Sequence, residues 1–206
     1  MSTKVKRFLR LVTIILPPVA LGITGLFHPH QLTVETAKQW TLVHVVLLPL
    51  FPLLGLSYHL ILARYRGLPI YFAKICIYIY IIFYTALDTI AGIANGVVIS
   101  RLASMPDTQT RAELIRNLRQ SLYISGNYLG NIGVYALIGI AFFTYISFFK
   151  KKLSFYHIFA LVSLVTGTAL FAYYHLYAPW GVVAMFILAI SLASLEIIDN
   201  KIMDKK

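Results

Sequence analysis

The sequence predicts an all-α, polytopic transmembrane protein, a helical bundle of about six spans with both termini in the cytoplasm. Three observations predict it. Hydrophobic residues fill 59% of the 206 positions and charged residues 12%, about half the charge of an ordinary soluble domain. The mean hydropathy is +0.79. The apolar residues gather into six runs, each near the roughly 20 residues that a helix needs to cross a bilayer.

The expected spans cover residues 8–27, 40–63, 70–99, 123–149, 155–177 and 181–198, within a single integral membrane domain over 1–206. The first has the basic start and apolar run of a signal peptide. It reads instead as a retained span, because the run is long and no small-x-small cleavage site follows it. Pro17 and Pro18 kink such a helix without forbidding it, since neighbouring helices and side chains satisfy the freed carbonyls. The segment HPHQLTVETAKQ, residues 28–39, follows as a loop in which Thr33 and Thr36 can start a helical turn. Residues 101–122 form the one long polar stretch. Thr110 and Glu113 there have capping-box spacing. Leu114, Ile115, Leu118 and Leu122 share a face, so 108–122 reads as an amphipathic helix outside the hydrocarbon. Gly92 and Gly96 in the third run, with Gly126, Gly130 and Gly133 in the fourth, have the spacing that lets helices approach closely in lipid.

Orientation follows from the basic residues. Placing the N-terminus inside leaves Lys38, Arg101, Arg111, Arg116 and Arg119 outside. The other thirteen of the 18 Lys and Arg, including Lys150, Lys151, Lys152, Lys205 and Lys206, then lie in the cytoplasm. That is a clear positive-inside bias. The net charge of +11 therefore orients helices; it does not form a nucleic-acid face, and membrane lipid is the expected partner. Cys76 is the single cysteine, so no disulfide can form within the chain.

Ionisable groups inside a bilayer are costly and each needs a reason. Asp88 lies roughly 16 Å from the outer end of its span, near the midplane, and His44 about 6 Å from the outer end of the second. Thr85, Asp88, Gly92 and Asn95 are spaced to share one helical face, as are Asn127 and Asn131 on the fourth span. His28, His30 and His175 fall at the mouth. Asp88, Asn95, Asn127 and Asn131 are the candidates for a proton or cation site. His28, His44 and His175 are the candidate metal ligands, since imidazole and carboxylate suit zinc, copper or iron. Haem is an alternative. His44 with His175 near the outer surface, and His59 with His157 near the inner one, could supply axial pairs.

Other readings stand beside these. Asp88 can be the titrating group of a proton-coupled carrier, or a neutral acid that staples two helices in an accessory subunit. Trp40, Tyr123, Tyr173, Tyr174, Tyr177 and Trp180 fit an aromatic belt at the outer interface. Glu196 and Asp199 fit solvation of the inner interface. No phosphate loop, nucleophile elbow or carboxylate pair points to an enzyme.

The stretches HPHQLT (28–33), VHVVLLPLFPLLGL (43–56), YTALDTIAGIANG (84–96) and GNYLGNIGV (126–134) resemble a group of uncharacterised bacterial multi-pass membrane proteins across most of the chain. The resemblance implies a bacterial inner, or plasma, membrane location. It carries no activity to any residue.

Overall fold

The computed structural model describes residues 2–106, 108–149 and 154–203. They form six helices, each long and apolar enough to cross a membrane, and no strand. The chain is a multi-pass membrane protein. The basic residues Lys150, Lys151, Lys152, Lys205 and Lys206 lie outside the described residues.

Helix α1 spans Thr3–Gly25, with the Ser2 hydroxyl accepting the Val5 N–H and both prolines inside it. Helix α2 spans Ala37–Leu62. Before it the chain folds into a tight turn, in which the Thr36 hydroxyl accepts the Thr33 N–H at 2.9 Å and donates to the Gln31 carbonyl at 2.7 Å. Helix α3 runs from Leu68 to Ala103. Its middle, Asp88–Ala94, winds as a π-helix between α-helical stretches Leu68–Leu87 and Asn95–Ala103. Helix α4 spans Gln109–Phe149, α5 Phe155–Tyr174 and α6 Trp180–Met203.

Two boundaries depart from the sequence reading. The amphipathic segment 108–122 and the fourth span are one unbroken helix of 41 residues, about 60 Å long. The segment therefore continues the span and does not lie across the surface. Its start is set by Thr108, whose hydroxyl accepts the Arg111 N–H at 3.1 Å, and not by Thr110. The fifth span ends at Tyr174 because His175 takes a positive φ of 52°, which stops helical propagation.

The helices pack as a closed ring in chain order, with α6 returning against α1. Six successive crossings bring the chain back to the side on which it starts. That side is called here the terminal end, and the other the far end. The ring is filled by one large core to which every helix contributes, with Phe51, Tyr80, Tyr84 and Phe171 among its largest fully buried side chains. Phe8, Leu16, Leu42, Ile82, Phe142 and Ile190 point outward, as a lipid-facing surface requires. The closest seam is α3–α4. A Cβ on Gly126, Gly130 or Gly133 would meet Ala91, Leu87 or Tyr84 at under 3 Å, so glycine there permits the contact. A second, smaller core of Leu32, Ala37, Trp40 and Ile99, with Ile115 against it, ties the far-end loop to the extended parts of α3 and α4.

Candidate functional site

A cavity of about 230 Å³ opens at the far end between α2, α3, α4 and α5. Its walls include His28, Trp40, His44, Tyr84, Asp88, Asn127, Asn131, His175 and Tyr177. Six of the seven residues singled out from sequence thus meet in one place, though they come from five separate segments. Asn95 does not. It is buried, its Nδ2 donates to the Arg119 carbonyl at 3.2 Å, and it lines a neighbouring cavity of about 400 Å³ with Arg116, Arg119 and His30. The π-helical winding explains the displacement. Each π residue turns through less than the α-helical 100°, so Asn95 leaves the face that carries Asp88.

Asp88 is 2% exposed and sits at the first π residue. Its Oδ2 has no hydrogen-bond partner. Its Oδ1 stands 4.0 Å from His44 Nε2, too far for a hydrogen bond. No lysine or arginine lines this cavity among the described residues.

His44 is held on its other side. Its Nδ1 lies 2.7 Å from the Trp40 carbonyl one turn back on α2, and its ring stacks on the Trp40 indole at 4.7 Å. Space for it comes from α3, because a Cβ on Gly92 would collide with the imidazole. His28 hangs from the loop after α1, with Nδ1 2.8 Å from the Pro29 carbonyl and Nε2 buried without a partner. Burial pushes its pKa below the ordinary 6.5, and the nearby His30 lowers it further, against a smaller upward pull from the Pro29 carbonyl. His175 presents its Nδ1 to the Tyr84 hydroxyl at 2.5 Å. His175 is also the one described non-glycine residue with positive φ, so backbone strain is concentrated at a cavity residue.

A carbonyl oxygen can only accept. The Nδ1 atoms of His28 and His44 must therefore carry the protons, and each Nε2 presents a lone pair. Those lone pairs and both carboxylate oxygens of Asp88 are acceptors. Of the donors nearby, the Trp40 indole N–H donates to the Ala91 carbonyl at 3.2 Å and the Tyr84 hydroxyl is shared with His175, while the Asn127 and Asn131 amides and the Tyr177 hydroxyl also line the cavity. No Lys or Arg among the described residues stands in the cavity to match an ionised Asp88.

The His28 ring lies 4.9 Å from His44 and 5.9 Å from His175 between ring centres, edge-on to both. At the terminal end, His157 caps α5 with Ser154 and His59 packs on Tyr78. Neither contact gathers the two histidines into an axial pair. Among the described residues no three His, Cys, Asp or Glu side chains are close enough, as they stand, to hold an ion.

Sequence reasoning missed several members of the site, among them Trp40, Tyr84 and Tyr177. Trp40, read as part of the interfacial belt, is 5% exposed and walls the cavity. The signal was its four-residue spacing from His44 on one helical face. Tyr84 has the same four-residue spacing from Asp88, but its contact with His175 depends on the return of another helix. Glu196, read as interface solvation, is fully buried against Arg10 at 3.0 Å and Arg64 at 2.8 Å; the side chain of Asp199 lies outside the described residues.

No family model, curated protein or solved structure matches this chain.

Proposed function

We propose that the chain is a plasma-membrane protein of a bacterium, with both termini in the cytoplasm, that binds a cationic ligand in a pocket opening to the outer side. The orientation rests on the bias of its basic residues toward the terminal end. The ligand class rests on one observation: Asp88, buried, stands 4.0 Å from the His44 Nε2 and no Lys or Arg among the described residues lines its cavity. A ligand that brings positive charge would satisfy this pocket where the protein does not.

A membrane metalloprotein or redox protein would use such a pocket as a resident site. A proton- or cation-coupled carrier would use it as a stop on a path. The second use is favoured by one feature: at the terminal end α1, α2 and α6 are tied by Arg10, Arg64 and Glu196, as an outward-open carrier requires.

Thermal unfolding of the detergent-purified protein tests the ligand class, using sodium, potassium, ammonium, magnesium, zinc and cobalt(II) chlorides in turn. At least one should raise the midpoint by about 5 °C at saturating concentration, and Asp88→Asn should abolish the rise. If no cation stabilises the protein, or the variant responds equally, Asp88 is a helix-stapling acid and the chain a structural subunit.

A further inference from the structure

We infer that the cation is a first-row transition-metal ion, held by Nε2 of His28, Nε2 of His44 and the Asp88 carboxylate, with His175 as the remaining imidazole. This rests on the cation-site reading and narrows it to a class of ion.

The first support is the arrangement behind the imidazoles. A metal-binding histidine usually donates its other ring N–H to a carbonyl, which fixes the tautomer and aims the lone pair. His28 and His44 both do this, toward the Pro29 and Trp40 carbonyls. His175 can do the same toward the Tyr84 oxygen. Three histidines with Nδ1 engaged and their rings in one cavity are hard to explain as packing, because packing alone has no preference for which nitrogen is left bare.

The second support is distance. Two imidazoles bound through nitrogen to one tetrahedral ion, at roughly 2.0–2.1 Å each, have ring centres about 5 Å apart. The observed separations are 4.9 Å and 5.9 Å. The 4.0 Å between His44 Nε2 and Asp88 Oδ1 exceeds the roughly 3.3 Å that two donors at about 2.0–2.1 Å span on a tetrahedral ion, so this pair must close by about half an ångström. The set must still close by a small movement, since no three donors converge as they stand. His28 and His175 are carried by loops beside helix ends, and His44 and Asp88 by facing helices that must approach slightly.

The third support is donor type. Imidazole nitrogen with one carboxylate suits zinc, copper or iron(II), whereas alkali and alkaline-earth ions take sites built mainly of oxygen. Here nitrogen predominates. Thiolate is absent from the set, as Cys76 packs elsewhere, toward Gly139.

Cobalt(II) is the probe, because bound to nitrogen and oxygen donors it gives visible d–d bands and quenches nearby fluorescence. The sequence holds two tryptophans, so Trp180→Phe leaves Trp40, whose ring lies 5.0 Å from His28 and 4.7 Å from His44, as the single reporter. The full-length protein in detergent should bind one cobalt ion with d–d bands and loss of Trp40 emission. His44→Gln and His28→Gln should each weaken binding by at least about tenfold, and Tyr84→Phe by about 10-fold or more through the second shell. Should His44→Gln fail to fold, His28→Gln on the loop carries the test, with His59→Gln as the variant expected to bind normally. Cobalt binding without d–d bands, or binding indifferent to His28 and His44, overturns the inference. If ammonium or sodium nevertheless stabilises the protein in an Asp88-dependent way, the cation site stands and only its metal identity falls. If no cation does so, both fall.

Discussion

Two acids are buried in this bundle, and they are buried differently. Glu196, at the terminal end of α6, is fully covered and held by the guanidinium groups of Arg10 and Arg64. Arg10 also reaches the Leu60 carbonyl, so α1, α2 and α6 meet in one charged knot. Asp88, in the middle of α3, is as well covered but stands 4.0 Å from the His44 Nε2. A buried charge is tolerable when it is paired and hydrogen-bonded. The protein itself meets that condition at Glu196 but supplies no such partner at Asp88. One acid belongs to the architecture; on the proposed reading, the other belongs to whatever enters the pocket.

The comparison breaks most directly at Glu196. Glu196→Gln leaves two guanidiniums facing a neutral amide. It should cost stability toward the lower end of the roughly 3–5 kcal/mol seen when a buried pair loses one partner, because both arginines are partly exposed. Asp88→Asn should change the unfolding midpoint by less than about 1 kcal/mol equivalent without ligand, having no partner to orphan. Thermal melts of the two variants side by side decide this, and a larger loss at Asp88 would reverse the assignment of roles.

Gly92→Ala comes next. The added methyl must displace His44, an overpacking cost of about 1–3 kcal/mol, and the variant should lose its cation response as His44→Gln does. An unchanged response would mean that His44 is a bystander. A smaller effect is expected from pH. His28 is held below its ordinary 6.5 in the folded protein, chiefly by burial. Its contribution is thus complete above that value and is lost as pH falls through the lower folded pKa. Melting curves taken downward from pH 7 should show a decline that His28→Gln makes shallower. The least effect belongs to Asn127→Ala and Asn131→Ala, which line the cavity from exposed positions. Stability should move by under about 0.5 kcal/mol, and binding, measured by Trp40 emission, by only a few-fold.

The six spans were legible because lipid imposes length and apolarity on every crossing, and the glycine rows because close approach needs small residues at fixed intervals. Sequence also put His28, His44, Asp88 and His175 in the same half of the membrane. The rest depended on geometry that spacing does not carry. The π-turn at Asp88–Ala94 undid an otherwise regular three-and-four pattern and sent Asn95 to another cavity. The junction at residue 122 is invisible as a break because the polar and apolar parts of α4 are both good helix. Glu196 looked like a surface acid because its partners, Arg10 and Arg64, are 186 and 132 residues away.

The neighbouring cavity has a consequence for how fast anything arrives. Arg116 and Arg119 line it, and it shares Trp40, Tyr123 and Tyr177 with the cavity above Asp88. On the proposed reading, a bare cation entering past that shared wall would meet repulsion before it meets the acid. Added salt screens exposed charges over a Debye length of about 10 Å at 0.1 M. It should therefore quicken capture of a free ion here, the reverse of an entrance that attracts its ligand. A cation delivered inside an anionic chelate would show the opposite salt dependence, drawn in by the same two arginines that hold the bare ion off.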